Sequence, residues 1–451
     1  MAVRRWTVLM RPVSADPATQ IALEQITPQP GERVLVLHCP DPALALALGK
    51  SAADVAVYDN SLTALARVRS QAAARKVETV TAYEDVFPEG EVRYDLAVLT
   101  VPKGRGLAQG WVYAARKALK PGGRLYIAGP TEGGAKTLIA DAALVFGNGA
   151  TLAFRKRNRV GVSTNPDTAP EFPPQWGPDP TQVQQHDFGG LPLWTMPGIF
   201  SWDHLDDGTA MLLDALEVEG GESVLDVGCG NGVIGLTLKA RGAGAVTLTD
   251  ENLLAVRCSR RNAETLPDVE VLAGDVYGSV AGRTFDLIVS NPPFHQKFDV
   301  DTNVAHRIMR EALEMLTPGG RLVIVANAFL KYGEVMEEHL ARVRELANDG
   351  RYVVIEGRKP ERGTPKPAGK RGSKRADEQD EAQRFRTQGI IPTVSEEELA
   401  EETTDDELDI LFAQLADAEA ERASGAVDED FDEDDNSDDE DDEDDFNDEE
   451  Q

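Results

Sequence analysis

The sequence predicts an α/β protein of two tandem, mostly parallel open sheets, the first a degenerate copy of the second, followed by a disordered acidic tail. Three observations predict it. Strand-length apolar runs alternate with helical runs between residues 31 and 357, the grammar of a parallel sheet covered on both faces. The grammar returns at an offset of about 190 residues, which marks an internal repeat. Of a formal net charge of −32, residues 376–451 hold 34 Asp and Glu against 3 Lys and Arg, so the chain before them is close to neutral.

In the first copy, Gly31 to His38 leads into a strand, Ala43 to Lys50 reads as an Ala/Leu helix, Val55 to Asp59 as a second strand and Ser61 to Arg75 as a second helix. Tyr94 to Leu99 is a third strand, stopping at Val101-Pro102-Lys103, and Pro121-Gly122-Gly123 turns into a fourth. In the second copy Val224-Leu225 answers Val34-Leu35, Asp250 answers Asp59, Pro292 answers Pro102, and Pro318-Gly319-Gly320 answers Pro121-Gly122-Gly123. The copies differ where chemistry would sit. His38-Cys39-Pro40-Asp41-Pro42 stands in place of a glycine loop, and its two prolines cannot offer backbone N–H groups to a ligand. The first copy therefore reads as a scaffold or an RNA-contacting unit.

Between the copies, Arg155, Lys156, Arg157 and Arg159 place four bases in six residues, either a phosphate contact or a solvated strand edge. Residues 165–190, rich in Pro, Gln and Gly, read as a linker or irregular loop. The expected divisions are a degenerate domain over 1–160, a linker over 161–196, a catalytic domain over 197–357, a basic disordered arm over 358–375 and the acidic disordered tail over 376–451.

The second copy carries the chemistry. Pro197-Gly198-Ile199-Phe200-Ser201 and Asp206-Asp207-Gly208-Thr209 precede an apolar helical run, Ala210 to Leu216. Ser223 to Val227 is a strand that opens into Gly228-Cys229-Gly230-Asn231-Gly232, where glycines let backbone approach a ligand at a helix N-terminus. Gly230, Gly232 and Gly235 also satisfy the dinucleotide pattern, so a nicotinamide enzyme competes at this point. Asp226, just before the loop, suits the ammonium of an amino-acid-like cofactor. Asp250 closes the second strand and suits two ribose hydroxyls; Asp275 follows the third and suits the amino group of an adenine. Each acid alone is equally a helix cap or turn residue, but all stand at carboxyl ends of consecutive strands, where open sheets bind ligands.

The fourth strand, Asp286 to Ser290, ends in Asn291-Pro292-Pro293-Phe294-His295. Two prolines stiffen the turn and leave the carbonyls of Asn291 and Pro292 free to accept. The Asn291 side-chain oxygen and the Pro292 carbonyl can hold both N–H bonds of an exocyclic amine and turn its lone pair towards an electrophile. Phe294 offers a face for the extruded base. No Cys lies in this loop, which favours direct transfer over a thiol adduct, and His295 is either a proton acceptor or a solvent-facing residue.

In this order the motifs resemble class I S-adenosyl-L-methionine-dependent methyltransferases of the small methyltransferase domain group. Pro197 to Ser201, the block from Asn291 to Leu330, and a degenerate first copy carrying Pro102-Lys103 and Gly133-Gly134-Ala135-Lys136 resemble the bacterial ribosomal RNA guanine-N2 methyltransferases. The resemblance covers roughly residues 30 to 357. It implies two tandem Rossmann-like class I methyltransferase domains and methylation of a guanine N2 in ribosomal RNA, with 16S RNA of the small subunit favoured over 23S. It implies S-adenosyl-L-methionine held by Asp226, Gly228, Cys229, Gly230, Asn231, Gly232, Asp250, Asp275 and Asn291, and a catalytic set of Asn291, Pro292 and Phe294. Methylation of adenine N6 or of a protein glutamine fits the same loop, and a non-enzymatic RNA-binding assembly factor fits the first copy alone.

Three cysteines, Cys39, Cys229 and Cys258, show no metal-ligand spacing and point to a reducing compartment. No apolar run suits a signal peptide or membrane span, so a cytoplasmic, monomeric protein acting on ribosomal RNA or a ribosomal subunit is expected. After the last expected strand, Arg351 to Glu356, the basic arm could follow a phosphate backbone. The acidic tail, with one amphipathic run from Glu396 to Ala420, either solubilises the protein or folds back on that arm.

Overall fold

The computed structural model describes residues 16–88, 94–293 and 301–360. Helix α1 (Pro17–Gln25) precedes β1 (Arg33–Leu37), α2 (Pro42–Leu48), β2 (Asp54–Tyr58), α3 (Leu62–Arg75), β3 (Val80–Ala82) and β4 (Tyr94–Thr100). Then come α4 (Arg105–Ala118), β5 (Leu119–Pro130), α5 (Ala135–Phe146), β6 (Ala150–Arg155) and β7 (Asn158–Thr164). A short hairpin of β8 (Gln184–Asp187) and β9 (Pro192–Thr195) leads to α6 (Asp207–Ala215), β10 (Val224–Val227), α7 (Val233–Ala240), β11 (Val246–Asp250), α8 (Leu253–Ala263), β12 (Val269–Ala273) and β13 (Phe285–Ser290). The described residues end with α9 (Asp301–Met315), β14 (Leu316–Asn327), α10 (Tyr332–His339), β15 (Ala341–Asn348) and β16 (Tyr352–Arg358).

Both large sheets have seven strands in the same spatial order, β3-β2-β1-β4-β5-β7-β6 and β12-β11-β10-β13-β14-β16-β15. The repeat in sequence is thus a repeat of topology. Five strands of each sheet are parallel, while β7 and β16 run antiparallel to β5 and β14. Because side chains alternate across a strand, Leu287 and Val289 of β13 enter one core with Leu212, Leu236 and Leu248. Ile288 enters the opposite one with Ile308, Met309 and Ile324.

Two expectations need correction. The Pro-Gly-Gly turns do not precede their strands: β5 and β14 begin earlier, at Leu119 and Leu316, and loop out at these turns before pairing with β4 and β13 resumes at Arg124 and Arg321. Gly122 (φ 77°) and Gly319 (φ 84°), each following a proline, adopt the left-handed backbone that the third residue of such a tight turn requires. The span 161–196 is not simply a linker, since β7 runs on to Thr164 and β8–β9 packs on α8 of the second copy. There Asn262 receives the N–H of Trp194 and donates to its carbonyl, and the Arg261 guanidinium lies 3.9 Å from the Trp194 ring centroid. Satisfying the hairpin's edge against a helix holds a Pro- and Gln-rich segment in place.

The copies meet where β2 and β11 end. Leu62 N–H donates to the Glu251 carbonyl at 3.0 Å and Leu253 N–H to the Asn60 carbonyl at 2.7 Å, an antiparallel bridge between equivalent turns. Among the described residues no helix is long and apolar enough to cross a membrane. Phe294, His295, most of the basic arm and the acidic tail lie outside the described residues.

Candidate active site

At the carboxyl ends of β10, β11 and β13 opens a cavity of about 750 Å³. Its floor is the glycine loop. Gly228, Gly230 and Gly232 take φ of 72°, 58° and 90°, values that a side chain would strain, and Gly228 and Cys229 donate their N–H groups to the Thr249 carbonyl. Behind the loop, a Cβ on Gly235 would lie 2.2 Å from Leu248 Cδ2, so only glycine lets α7 seat against β11. Cys229 and Asn231 line the cavity while their side chains turn inward. The Cys229 thiol, 3.6 Å from Ser259 Oγ, is pushed far up by burial and stays protonated. Asn231 Oδ1 accepts the Val233 N–H.

The three acids hold different places. Asp226 is fully buried beneath the loop and outside the cavity wall, its Oδ2 accepting the Gly235 N–H at 2.9 Å and its Oδ1 without a partner. Desolvation pushes its carboxyl up to about 7. A direct contact to a cofactor ammonium does not suit that position; shaping the loop does. Asp250 faces the cavity, with Oδ2 accepting the Gly230 N–H and Oδ1 the Asn252 N–H. Burial raises it to about 6, and each oxygen retains a lone pair for a hydroxyl. Asp275 also lines the cavity, and its Oδ2 meets Arg307 of α9 at 2.8 Å.

Asn291 follows β13 at the cavity wall. Its Nδ2 donates to Thr209 Oγ1 at 2.8 Å and to Asp206 Oδ2 at 3.2 Å, while its buried Oδ1 has no partner. A flipped amide would set Oδ1 against the Asp206 carboxylate, two acceptors face to face, so the orientation is enforced. Asp206 is in turn fixed as the N-cap of α6, receiving the Thr209 N–H. Pro292 is buried at the same wall.

The methyltransferase small domain family matches residues 13–160 and again 190–356. Ribosomal RNA small subunit methyltransferase C of Hahella chejuensis is 33% identical over 325 residues, 71% of this chain and 93% of that protein. The protein of the same name from Chromohalobacter salexigens is 38% identical over 279 residues, 59% of this chain and 79% of that one. The chain belongs to the ribosomal RNA small subunit methyltransferase C family. Among solved structures, the T. thermophilus 16S rRNA N2 methyltransferase (RsmC), in complex with AdoMet and guanosine, matches with a TM-score of 0.65 at 29% identity, covering 76% of this chain and 92% of that one.

In this chain the first copy has filled the equivalent of that site. His38, with φ 54° where the second copy has Gly228, stacks on Trp111 at 5.2 Å between centroids. Trp111 is fully buried and precedes β5 by the same count that places Ile308, a cavity residue, before β14. The first copy instead lends Asn60, Thr63 and Lys103 to the wall of the second copy's cavity.

Asp206, Thr209, Ser201, His204 and Arg307 escaped the sequence reading as site residues. One signal was available for the first pair. Asp16 and Thr19 repeat Asp206 and Thr209 at the offset of the copies, and Asp16 caps α1 with the same bonds to Thr19. With Val101 in place of Asn291, that pair has no amide to hold.

Proposed function

We propose that this chain transfers a methyl group from S-adenosyl-L-methionine to the exocyclic N2 of a guanine in 16S ribosomal RNA. Family membership and the likeness to a solved N2 methyltransferase support this over 23S RNA, adenine N6 or a protein glutamine. The observation that carries it is the Asn291 amide: nitrogen tied down by Thr209 and Asp206, oxygen unpartnered at a cavity built on a glycine loop.

The residues present fit the cofactor. The loop from Gly228 to Gly232 would admit it closely, Asp250 would take the ribose hydroxyls, and Asp275 the adenine amino group, with Arg307 balancing its charge. Asp226 would hold the loop in shape through Gly235. The bound cofactor supplies an electron-poor methyl carbon on a sulfonium. Asn291 Oδ1 and the Pro292 carbonyl would each accept one N–H of the guanine amine, directing its lone pair at that carbon, and Phe294 would stack the base. Positioning of this kind supplies up to about 7–11 kcal/mol of the barrier. Because both copies of one chain build the cavity wall, we read the working unit as a monomer, acting on the small subunit or its RNA in the cytoplasm.

Tritiated-methyl transfer onto purified small subunits, large subunits and naked RNA, followed by nucleoside analysis, tests this. Label in N2-methylguanosine of 16S RNA is expected. Label confined to 23S RNA, to adenosine or to protein would overturn it.

A further inference from the structure

Methylating an amine leaves a proton to be removed, and the described residues contain an acceptor the sequence reading did not consider. His204 Nδ1 lies 2.7 Å from Asp203 Oδ1, and its Nε2 lies 2.9 Å from Ser201 Oγ. Ser201 and His204 both line the cavity that holds Asn291, the glycine loop and Asp250. The same stretch continues into Asp206, which holds the Asn291 amide, so the acceptor and the amine cradle share one segment of backbone. Ser201 holds φ 48°, a left-handed conformation uncommon for serine, and the turn closes through His204 N–H to the Ser201 carbonyl. Trp202 beside it packs edge-on against His186 at 5.2 Å.

We infer that Ser201 and His204, oriented by Asp203, take the proton released from guanine N2 during methyl transfer. This rests on the proposed reaction and assigns its proton path. The Asp203 carboxylate only accepts, so Nδ1 carries the imidazole proton and Nε2 accepts from the Ser201 hydroxyl. Ser201 Oγ keeps lone pairs for the substrate. In the step, the N2–methyl bond forms as the sulfur–methyl bond breaks. One N2–H then turns from its carbonyl acceptor to Ser201 Oγ and gives up its proton there, while the Ser201 proton passes to His204 Nε2. The imidazolium formed is neutralised by Asp203, whose carboxyl its hydrogen bond to His204 already holds below the usual range. His204 is 68% exposed at the cavity mouth, so water can then collect the proton. The charged and titratable groups near His204 are His186 and Asp206 beside this turn and Lys103, Asp250, Asp275 and Arg307 in the wall of the same cavity.

The test is single-turnover methyl transfer to small subunits at saturating S-adenosyl-L-methionine, across pH 5.5–9, with cofactor affinity measured separately by calorimetry. Wild-type rate should climb with pH as His204 loses its proton. His204→Gln should slow the step about 100-fold and abolish that limb, with cofactor affinity within about twofold of wild type. Ser201→Ala, which leaves the imidazole in place, should slow it about 10-fold. Asp203→Asn removes the carboxylate that fixes the imidazole tautomer, so it should slow the step several-fold while His204 stays in place. A His204→Gln rate within threefold of wild type and with the same limb would remove the assignment while leaving the methyltransferase reading intact. Absence of methyl transfer by the wild-type protein would remove both.

Discussion

Asn291 Nδ2 donates to Thr209 Oγ1 at 2.8 Å across 82 residues of chain and to Asp206 Oδ2 at 3.2 Å, and the carboxylate, which only accepts, selects which end of the amide faces the cavity. Asn291→Ala removes the acceptor itself. Methyl transfer should fall at least about 100-fold with S-adenosyl-L-methionine binding near wild type, a loss in kcat of the kind expected when a positioning contact goes. Thr209→Val keeps the acceptor and the Asp206 contact but removes one of the two anchors of the amide nitrogen, so a smaller loss, about 10-fold in kcat, should appear in the same assay.

The turn that presents Asp250 is held from the first copy. Glu251 Oε2 accepts from Ser61 Oγ at 2.9 Å and Thr63 Oγ1 at 3.2 Å. Combining Ser61→Ala with Thr63→Val should cost about 1–3 kcal/mol in denaturant unfolding, because Glu251 is left part-buried without those donors. It should also weaken S-adenosyl-L-methionine binding several-fold, read by calorimetry, with kcat at saturation little changed.

The space behind the glycine loop leaves no room for a methyl. Gly235→Ala would press Cβ on Leu248 Cδ2 and approach Asp226 Oδ2 at 3.2 Å. A loss of about 1–3 kcal/mol is expected from the overpacking. Adding Leu248→Ala should recover part of it, a non-additive pair visible in a double-mutant cycle.

Burial raises Asp226 from 3.8 to about 7 in the folded protein. The folded state therefore binds the proton more tightly than the unfolded chain. Its contribution to stability is complete below about pH 4, declines as pH rises towards 7, and is flat above. Asp226→Asn cannot ionise and can still accept the Gly235 N–H. The melting temperature of wild type relative to that variant should fall between pH 4 and pH 7.5, in cofactor-free protein at fixed ionic strength. A constant gap over that range would show that Asp226 does not titrate there.

Much of the fold was open to reading because it is written in local patterns. Val34-Leu35 and Val224-Leu225, each followed by an acid-ended strand some 25 residues on, announce parallel strands by burial on both faces alone. Pro121-Gly122-Gly123 marks a turn but not the start of β5, because pairing with Tyr94, distant in sequence, brings Leu119 into the strand before it. The hairpin around Trp194 was missed for a related reason: its strands are four residues long and depend on Asn262 and Arg261, distant in sequence.

The order of residue types along the chain was enough to establish two copies, the loss of the glycine loop from the first, and a loop with the acceptors an amine needs. These follow from backbone constraints and side-chain chemistry that each residue carries wherever it lies. The direction of the Asn291 amide, the retreat of Asp226 beneath the loop, the Asp275–Arg307 pair and the meeting of Ser201 with His204 came from the folded chain. Each depends on which groups are neighbours after strands 60 or more residues apart have paired, as β10 does with β13, and on how much water that pairing excludes.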